Sequence, residues 1–312
     1  MTEHRRDPRR IVGEKAGGMA LTRSALTPRG FDAQDAAAVL DVINADRLPG
    51  QPMCTEAMLS EAVAGRSPVD SGWWAELDRL AVDVLRDGQG HIRGAVSYAH
   101  RARDGAGVIL WLHGREEPVV VDALLDHAMG RLGDTASVTA FEFAGALAVG
   151  LEGLPVRHRP ATRRALLARG FVEADLWRYM RRELPATDLP RDQRTQAAHV
   201  EADPENPGWR VEVRDADGTL LGDAQVSVAA PGVGVLWWIG VEPPHRGKGL
   251  AWPLLGSALE VLHEHGAQEV ILFVDDDAPP DDPERGRGAA NALYDRAGFT
   301  EIDRLCSYRR TP

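Results

Sequence analysis

What most constrains this chain is an order of elements that it runs through almost twice. The first pass opens with FDAQDAAAVLDVINADR (31–47), which reads as a helix with Asp32 as N-cap. TEAMLSEAVAG (55–65) reads as a second helix, begun by Thr55 and stopped by Gly65. Strands are predicted at 79–87, 91–101 and 107–114, then a helix at 116–133, a strand at 137–145, a helix at 160–171 and a strand in DLWRYMRREL. The second pass predicts strands at 209–213, 220–228 and 235–241, separated by the turns DADG (215–218) and PGVG (231–234). A helix at 249–265, a strand at 269–274, a helix at 289–299 and a closing strand, IDRLCSYRR, follow. The ends of the two passes align, ALLARGF (165–171) against ALYDRAGF (292–299). Two copies of one α/β (α+β) unit are therefore expected, each a mixed sheet flanked by helices. The expected division is a flexible tail over 1–20, a first unit over 21–184, a Pro- and Asp-rich linker over 185–208 and a second unit over 209–312. The second copy lacks the two opening helices, so either it is trimmed there or the first copy's helices serve both.

Composition removes several function classes. A chain of 312 residues, 44% hydrophobic and 27% charged, has the profile of a globular protein. Its net charge of −11 opposes a broad grip on nucleic acid, whose affinity depends on Lys and Arg neutralising phosphates. Two cysteines, Cys54 and Cys306, make neither a disulfide framework nor a paired zinc motif, and a reducing cytoplasm fits them. No apolar run reaches the roughly 20 residues of a membrane helix. The basic start, MTEHRRDPRRIVGEKAGG, has no apolar segment behind it and fails as a secretory signal; it reads as a tail, with a nucleic-acid or partner-binding arm as the alternative.

The sharpest local signal is VEPPHRGKGLAWPLL (241–255). Glycines between a strand and a helix leave backbone amides uncrowded at a helix start, where they attract phosphate oxygens. Ala251, Leu254, Leu255, Ala258 and Leu262 form one apolar helix face. Pro253, lacking an amide hydrogen, is tolerated only in a first turn, so the helix is expected to start near Gly249 or Leu250. The amides of Arg246, Gly247, Lys248, Gly249, Leu250 and Ala251 then stand at the anion end, with the Arg246 and Lys248 side chains as added charge. A Walker loop would need Ser or Thr after Lys248, and Gly247, Gly249 and Gly256 do not space as GxGxxG.

RGKGLA (246–251), after VEPP and before an apolar helix, resembles the (Gln/Arg)xxGx(Gly/Ala) acetyl-coenzyme A pyrophosphate loop of the GCN5-related N-acetyltransferase (GNAT) superfamily. ALYDRAGF is similar to that superfamily's later LYxxxGF element. The motifs cover roughly 235–300; the first half matches by element order only. The whole resembles the tandem acetyltransferases typified by mycothiol synthase. That resemblance implies acetyl-CoA or another acyl-CoA as co-substrate, entering a gap between VLWWIGV and EVILFV. Backbone groups of Ile239 and Val241 would bond the pantetheine, the Val241 amide would polarise the thioester carbonyl, and Tyr294 would protonate the leaving thiolate. Without that context Tyr294 reads as a packing residue on an amphipathic helix.

The chain departs from the family pattern in places. Ala278 stands where an Asn is common, with PPDDPERGRG inserted after it, and Asn291 is the candidate substitute for cofactor binding. Val235 stands where related chains can carry a Glu base, leaving Glu242, His245 and Asp275 as candidates, each with a solvent-facing reading beside it. Trp237 and Trp238 alternate faces, one for the core and the other for an acceptor wall. His263 and His265 make a poor metal pair, and no metal is expected. In the first copy GREEPVVV replaces the loop, Glu116 and Glu117 oppose a pyrophosphate, and Leu166 replaces the tyrosine, so that copy is expected to be catalytically silent. GRSPVDSGWWAELDR (65–79), rich in polar and aromatic groups, reads as a plain loop, with a reach into the acceptor pocket as the alternative. The expected function is N-acylation of a small-molecule amine by direct attack in a ternary complex, without nucleic-acid or membrane partners. The alternatives are an acyl-CoA-binding regulatory or scaffold protein without turnover, or acylation of a peptide amine.

Overall fold

The computed structural model describes residues 23–67, 71–142, 144–147, 153–191, 199–202, 208–275 and 288–311. The 1–20 tail, Ala278 and most of the insertion after it lie outside them. The first half comprises β1 (Thr27–Gly30), α1 (Ala36–Ala45), α2 (Glu56–Val63), α3 (Ser71–Trp74), β2 (Leu77–Arg86), β3 (Ile92–Arg101), β4 (Gly107–His113), α4 (Pro118–Leu132), β5 (Val138–Ala140), β6 (Leu154–Pro155), α5 (Pro160–Ala168) and β7 (Val172–Glu183). The second comprises β8 (His199–Ala202), β9 (Trp209–Arg214), β10 (Leu220–Ala230), β11 (Val233–Val241), α6 (Ala251–Glu264), β12 (Glu269–Asp275), α7 (Gly288–Arg296) and β13 (Thr300–Arg310).

Local chemistry explains the starts. The Asp32 carboxylate accepts from the Gln34 amide, and Asp35 returns the bond to the Asp32 amide, closing a capping box on the turn that leads into α1. The Thr55 hydroxyl accepts from the Met58 amide and caps α2. The segment expected as a plain loop winds into α3 because Trp74 is buried there, its indole Nε1 donating to the Ala144 carbonyl at 2.9 Å. β8 lies in the expected linker and pairs with β9.

Among the described residues, all strands belong to one mixed sheet in the order β1-β2-β3-β4-β5-β13-β7-β12-β11-β10-β9-β8, with β6 also on β13. Two neighbouring pairs, β4–β5 and β11–β12, are parallel; the others are antiparallel. The centre is interlaced. β13, the closing strand of the second half, lies between β5 and β7, while β7, the closing strand of the first, lies between β13 and β12. A boundary at 184/185 thus falls just after a strand whose ladders are both with second-half strands. α4 and α5 pack on the sheet through Leu124, Leu125 and Leu166, together with Cys306 and Tyr308 of β13. α6 and α7 pack through Leu254, Leu255, Leu262 and Tyr294, together with Met180 of β7. The other face of the second half is covered by the chain after α1: Leu48 is buried against Tyr179, Val235 and Ile271, and the Tyr179 hydroxyl donates to the Pro49 carbonyl at 3.3 Å. First-half residues therefore serve the second half's sheet.

Candidate active site

β11 and β12 stay together for only three Cα pairs, Val233–Glu269, Gly234–Val270 and Val235–Ile271. Beyond them β11 follows β10, with Ile239 opposite Ala224 and Val241 opposite Gly222, whereas β12 follows β7 until Asp275 faces Trp177. A bulge at Trp237 helps turn β11 aside, since the register passes from Leu236–Val226 to Trp238–Gln225. The result is a wedge with backbone edges on both sides. The Glu242 amide donates to the Leu221 carbonyl on the β10 side, so by alternation the amides of Val241 and Ile239 point to the wedge side. The Val241 carbonyl accepts from Arg246 Nε at 3.0 Å.

The loop at the wedge's mouth has the character an anion needs. Pro243–His245 form a 3-10 turn, and Arg246, Gly247, Lys248 and Gly249 are exposed. Gly247 and Gly249 have φ of +74° and +77°, with nothing within 4 Å of the place where a Cβ would stand. This left-handed backbone requires glycine and keeps α6 from starting at Gly249; the helix begins at Ala251 instead, with Leu250 as an N-cap that has no side-chain cap bond. Its first amides stay uncapped, and Pro253 sits in the first turn as expected.

The other sequence-predicted residues are distributed around this wedge. Tyr294, on α7, is buried at 6% exposure and meets Phe299 edge to face at 5.6 Å. Asn291 is engaged within the chain at both ends of its amide, Nδ2 donating to the Asp275 carbonyl at 3.1 Å and Oδ1 accepting from Arg178 at 2.8 Å. It thus clamps α7 to the end of β12. Trp237 is half-buried, edge to face with Phe273 at 6.5 Å, and its Nε1 donates to Ser227 Oγ at 2.7 Å. Trp238 turns outward, 52% exposed. Glu242 precedes and His245 ends the 3-10 turn at the loop's entrance, the His245 amide donating to the Glu242 carbonyl, and Asp275 ends β12.

Two residues escaped sequence reasoning. Arg178 of β7 holds Asn291, Asp295 and Glu301 together, and Arg296 stacks over the Trp252 ring at 4.2 Å, joining the end of α7 to the first turn of α6. Both contacts are non-local, and no spacing in the sequence signals them. Cys54 and Cys306 are buried, and burial pushes both thiols up to about 12, so neither supplies a thiolate nucleophile at neutral pH. Among the described residues, no group of His, Cys, Asp and Glu is arranged to hold a metal, and no helix is long and apolar enough to cross a membrane.

The sequence profile of the acetyltransferase (GNAT) family matches residues 172–299, beginning at the first residue of β7. Residues 172–299 thus carry the sequence pattern of a GNAT acetyltransferase domain. Its relatives include a mycothiol acetyltransferase of Clavibacter michiganensis, 29% identical over 260 residues, which cover 81% of this chain and 76% of that protein. Mycothiol acetyltransferases of Beutenbergia cavernae and Clavibacter sepedonicus are 33% and 35% identical, over segments spanning 27% and 31% of their own lengths. Among solved structures, a tandem GNAT protein from the clavulanic acid biosynthesis pathway superposes with a TM-score of 0.63 at 17% identity, covering 92% of this chain and 98% of that one. A GCN5-related N-acetyltransferase from Sphaerobacter thermophilus superposes with a TM-score of 0.55 at 16% identity, covering 93% and 97%. The fold is thus shared along nearly the whole chain, and the region that matches the GNAT family contains the wedge, the glycine loop and Tyr294.

Proposed function

We propose that this protein transfers an acetyl or other acyl group from coenzyme A to the amine of a small molecule. The observation that carries the reading is the coincidence of two features: the β11–β12 ladder stops at Val235–Ile271, and the wedge so formed meets the left-handed glycine loop at an uncapped helix start. The amides from Arg246 to Ala251, with the Arg246 and Lys248 side chains, would hold the pyrophosphate, and the free edge at Ile239 and Val241 would bond the pantetheine. The neutral amine nitrogen attacks the thioester carbonyl carbon, whose developing negative oxygen the Val241 amide stabilises. The C–S bond then breaks, Tyr294 protonates the departing sulfur, and the ammonium proton leaves through Glu242, His245 or Asp275, directly or through water. Of the two tryptophans, Trp237 packs against Phe273 and Trp238, turned outward, is the proposed acceptor wall. The relatives named mycothiol acetyltransferase support a small-molecule acceptor.

Calorimetric titration with acetyl-CoA and with free coenzyme A tests the reading. One site per chain is expected, absent in Gly249→Glu, where charge and bulk take the pyrophosphate's place; undiminished binding in that variant would overturn the loop assignment. Thiol release over an amine library then separates an acyltransferase from an acyl-CoA-binding protein without turnover.

A further inference from the structure

We propose that the first half holds a ligand site of its own, a cavity in which the His113 imidazole accepts a hydrogen bond from the N–H or O–H of a small, largely apolar molecule. The cavity arises from the same architecture as the wedge in the second half. β4 and β5 pair only at Gly107–Val138, Val108–Thr139 and Ile109–Ala140. β4 then continues to His113, while Phe141, with φ +56°, turns the chain away. The opening is lined by Ile43, Leu110, Trp111, Phe141 and Leu154, with His113 among them.

The polar side of this cavity is organised around one carboxylate. Asp46, its side chain 2% exposed, lies 3.2 Å from His113 Nδ1, accepts from the Gly114 amide at 3.1 Å and lies 3.6 Å from Arg159 Nη2. Burial raises its pKa, but the bond from His113, the Arg159 charge and the Gly114 amide outweigh that and hold it below the usual carboxylate value. Burial lowers His113 below its ordinary value despite Asp46. An ionised carboxylate only accepts, so the neutral ring carries its proton on Nδ1. Nε2 is left with a lone pair, on a side chain that keeps 16% of its exposure in the cavity.

The surroundings select the ligand. Asp46 and Glu116 set two carboxylates against the guanidinium groups of Arg159 and of Arg47, which also lines the opening, so the site has no net positive charge to draw an anion. A coenzyme A thioester is opposed as well. Glu117 is the N-cap of α4 and pairs with Arg93, while Glu116 turns onto the α5 amides of Ala161 and Thr162 at 2.6 and 3.1 Å. Where the second half keeps free amides, the first has supplied its own carboxylates. An alkyl or aryl group on the apolar walls, carrying one amine or hydroxyl toward Nε2, is what fits.

The test uses the full chain with histidine labelled at ¹³Cε1 and ¹⁵N, the His113 signals being assigned by their loss in His113→Gln. Nδ1–H is the expected tautomer at neutral pH. Benzylamine and benzyl alcohol are the probes; toluene lacks the donor, benzoate is the anion control and coenzyme A the competitor. A saturable shift of the His113 signals with either probe is expected, benzylamine alone marking an ammonium site and benzyl alcohol alone a neutral one. Binding roughly tenfold weaker in His113→Gln, followed by calorimetry, reports the lost bond. Repeating the titration in Gly249→Glu separates the two sites, since the His113 response persists there whether or not the second half binds coenzyme A. An Nε2–H tautomer, no response to either probe, or an equal response to toluene, benzoate or coenzyme A would overturn the proposal.

Discussion

At the scale of single residues, the two halves carry different side chains at equivalent places, a glycine loop after β11 and Glu116 and Glu117 after β4. Tyr294→Phe removes one oxygen and leaves the edge-to-face contact with Phe299. It is expected to lower turnover by about 10²-fold, the scale of a general acid, with the coenzyme A dissociation constant nearly unchanged. Equal losses of turnover and binding would mean that the hydroxyl only shapes the pocket. His113 gives a prediction about stability. Its folded pKa is lowered, chiefly by burial, while an unfolded histidine titrates near 6.5. Below about pH 6.5 the unfolded chain therefore takes up a proton that the folded chain does not, and stability falls with pH from there down to the lowered value. The groups facing this ring are Asp46, Arg159 and Glu116. Denaturant titrations from pH 7.5 to 5.5 should give a shallower slope for His113→Gln than for the parent chain; parallel slopes would mean that the ring titrates normally. The conformation of the glycine loop and the helix that carries Tyr294 could be placed from the sequence because each motif is contiguous. The Asp46–His113 pair could not, because its members lie 67 residues apart and meet only through the fold.

At the scale of elements, periodicity located the helices and long strands well, and backbone conformation accounts for the differences. The strand expected at 137–145 ends at Ala140 because Phe141 takes a left-handed backbone. α6 starts two residues after Gly249 for the same kind of reason. β1 and β8, TPRG and HVEA, are four-residue strands at the two edges of the sheet, too short for alternation to show. Close packing between elements was equally invisible. A Cβ on Gly256 of α6 would stand 2.2 Å from the Pro190 carbonyl oxygen, whereas one on Gly130 of α4 would meet nothing within 4 Å. Both sites are helical, so alanine's intrinsic advantage of about 1 kcal/mol is common to both. Gly130→Ala is expected to stabilise by about 0.5–1 kcal/mol, and Gly256→Ala to destabilise by about 1–3 kcal/mol as the segment after β7 is pushed off α6. Urea midpoints of the two variants measure this, and a stabilising Gly256→Ala would show that the Leu189–Pro190 segment yields freely.

At the scale of the whole molecule, the internal repeat announced two units, but nothing in the sequence told which strands would pair across them. Each half closes the other. β13 supplies Cys306 and Tyr308, each 1% exposed, to the first half's core, and β7 supplies Met180, fully buried, to the second's. Polar contacts cross at the same place: Arg157 and Arg178 pair with Glu301 at 2.6 and 2.7 Å, and His158 Nδ1 is hydrogen-bonded to Asp303 at 2.7 Å. A chain cut between residues 191 and 192 would separate β7 from both of its partner strands, and β13 from β5 and β6. Each fragment would expose an unpaired strand edge and an opened core, a state that aggregates rather than folds. Residues 1–191 and 192–312 expressed alone are therefore expected to be insoluble or to lack a cooperative transition. Co-expressed, they should assemble one to one and regain a single thermal transition like that of the intact chain. If instead either fragment unfolds cooperatively by itself, with a midpoint near that of the whole protein, the interlacing is a contact between finished domains and not the means by which each is completed.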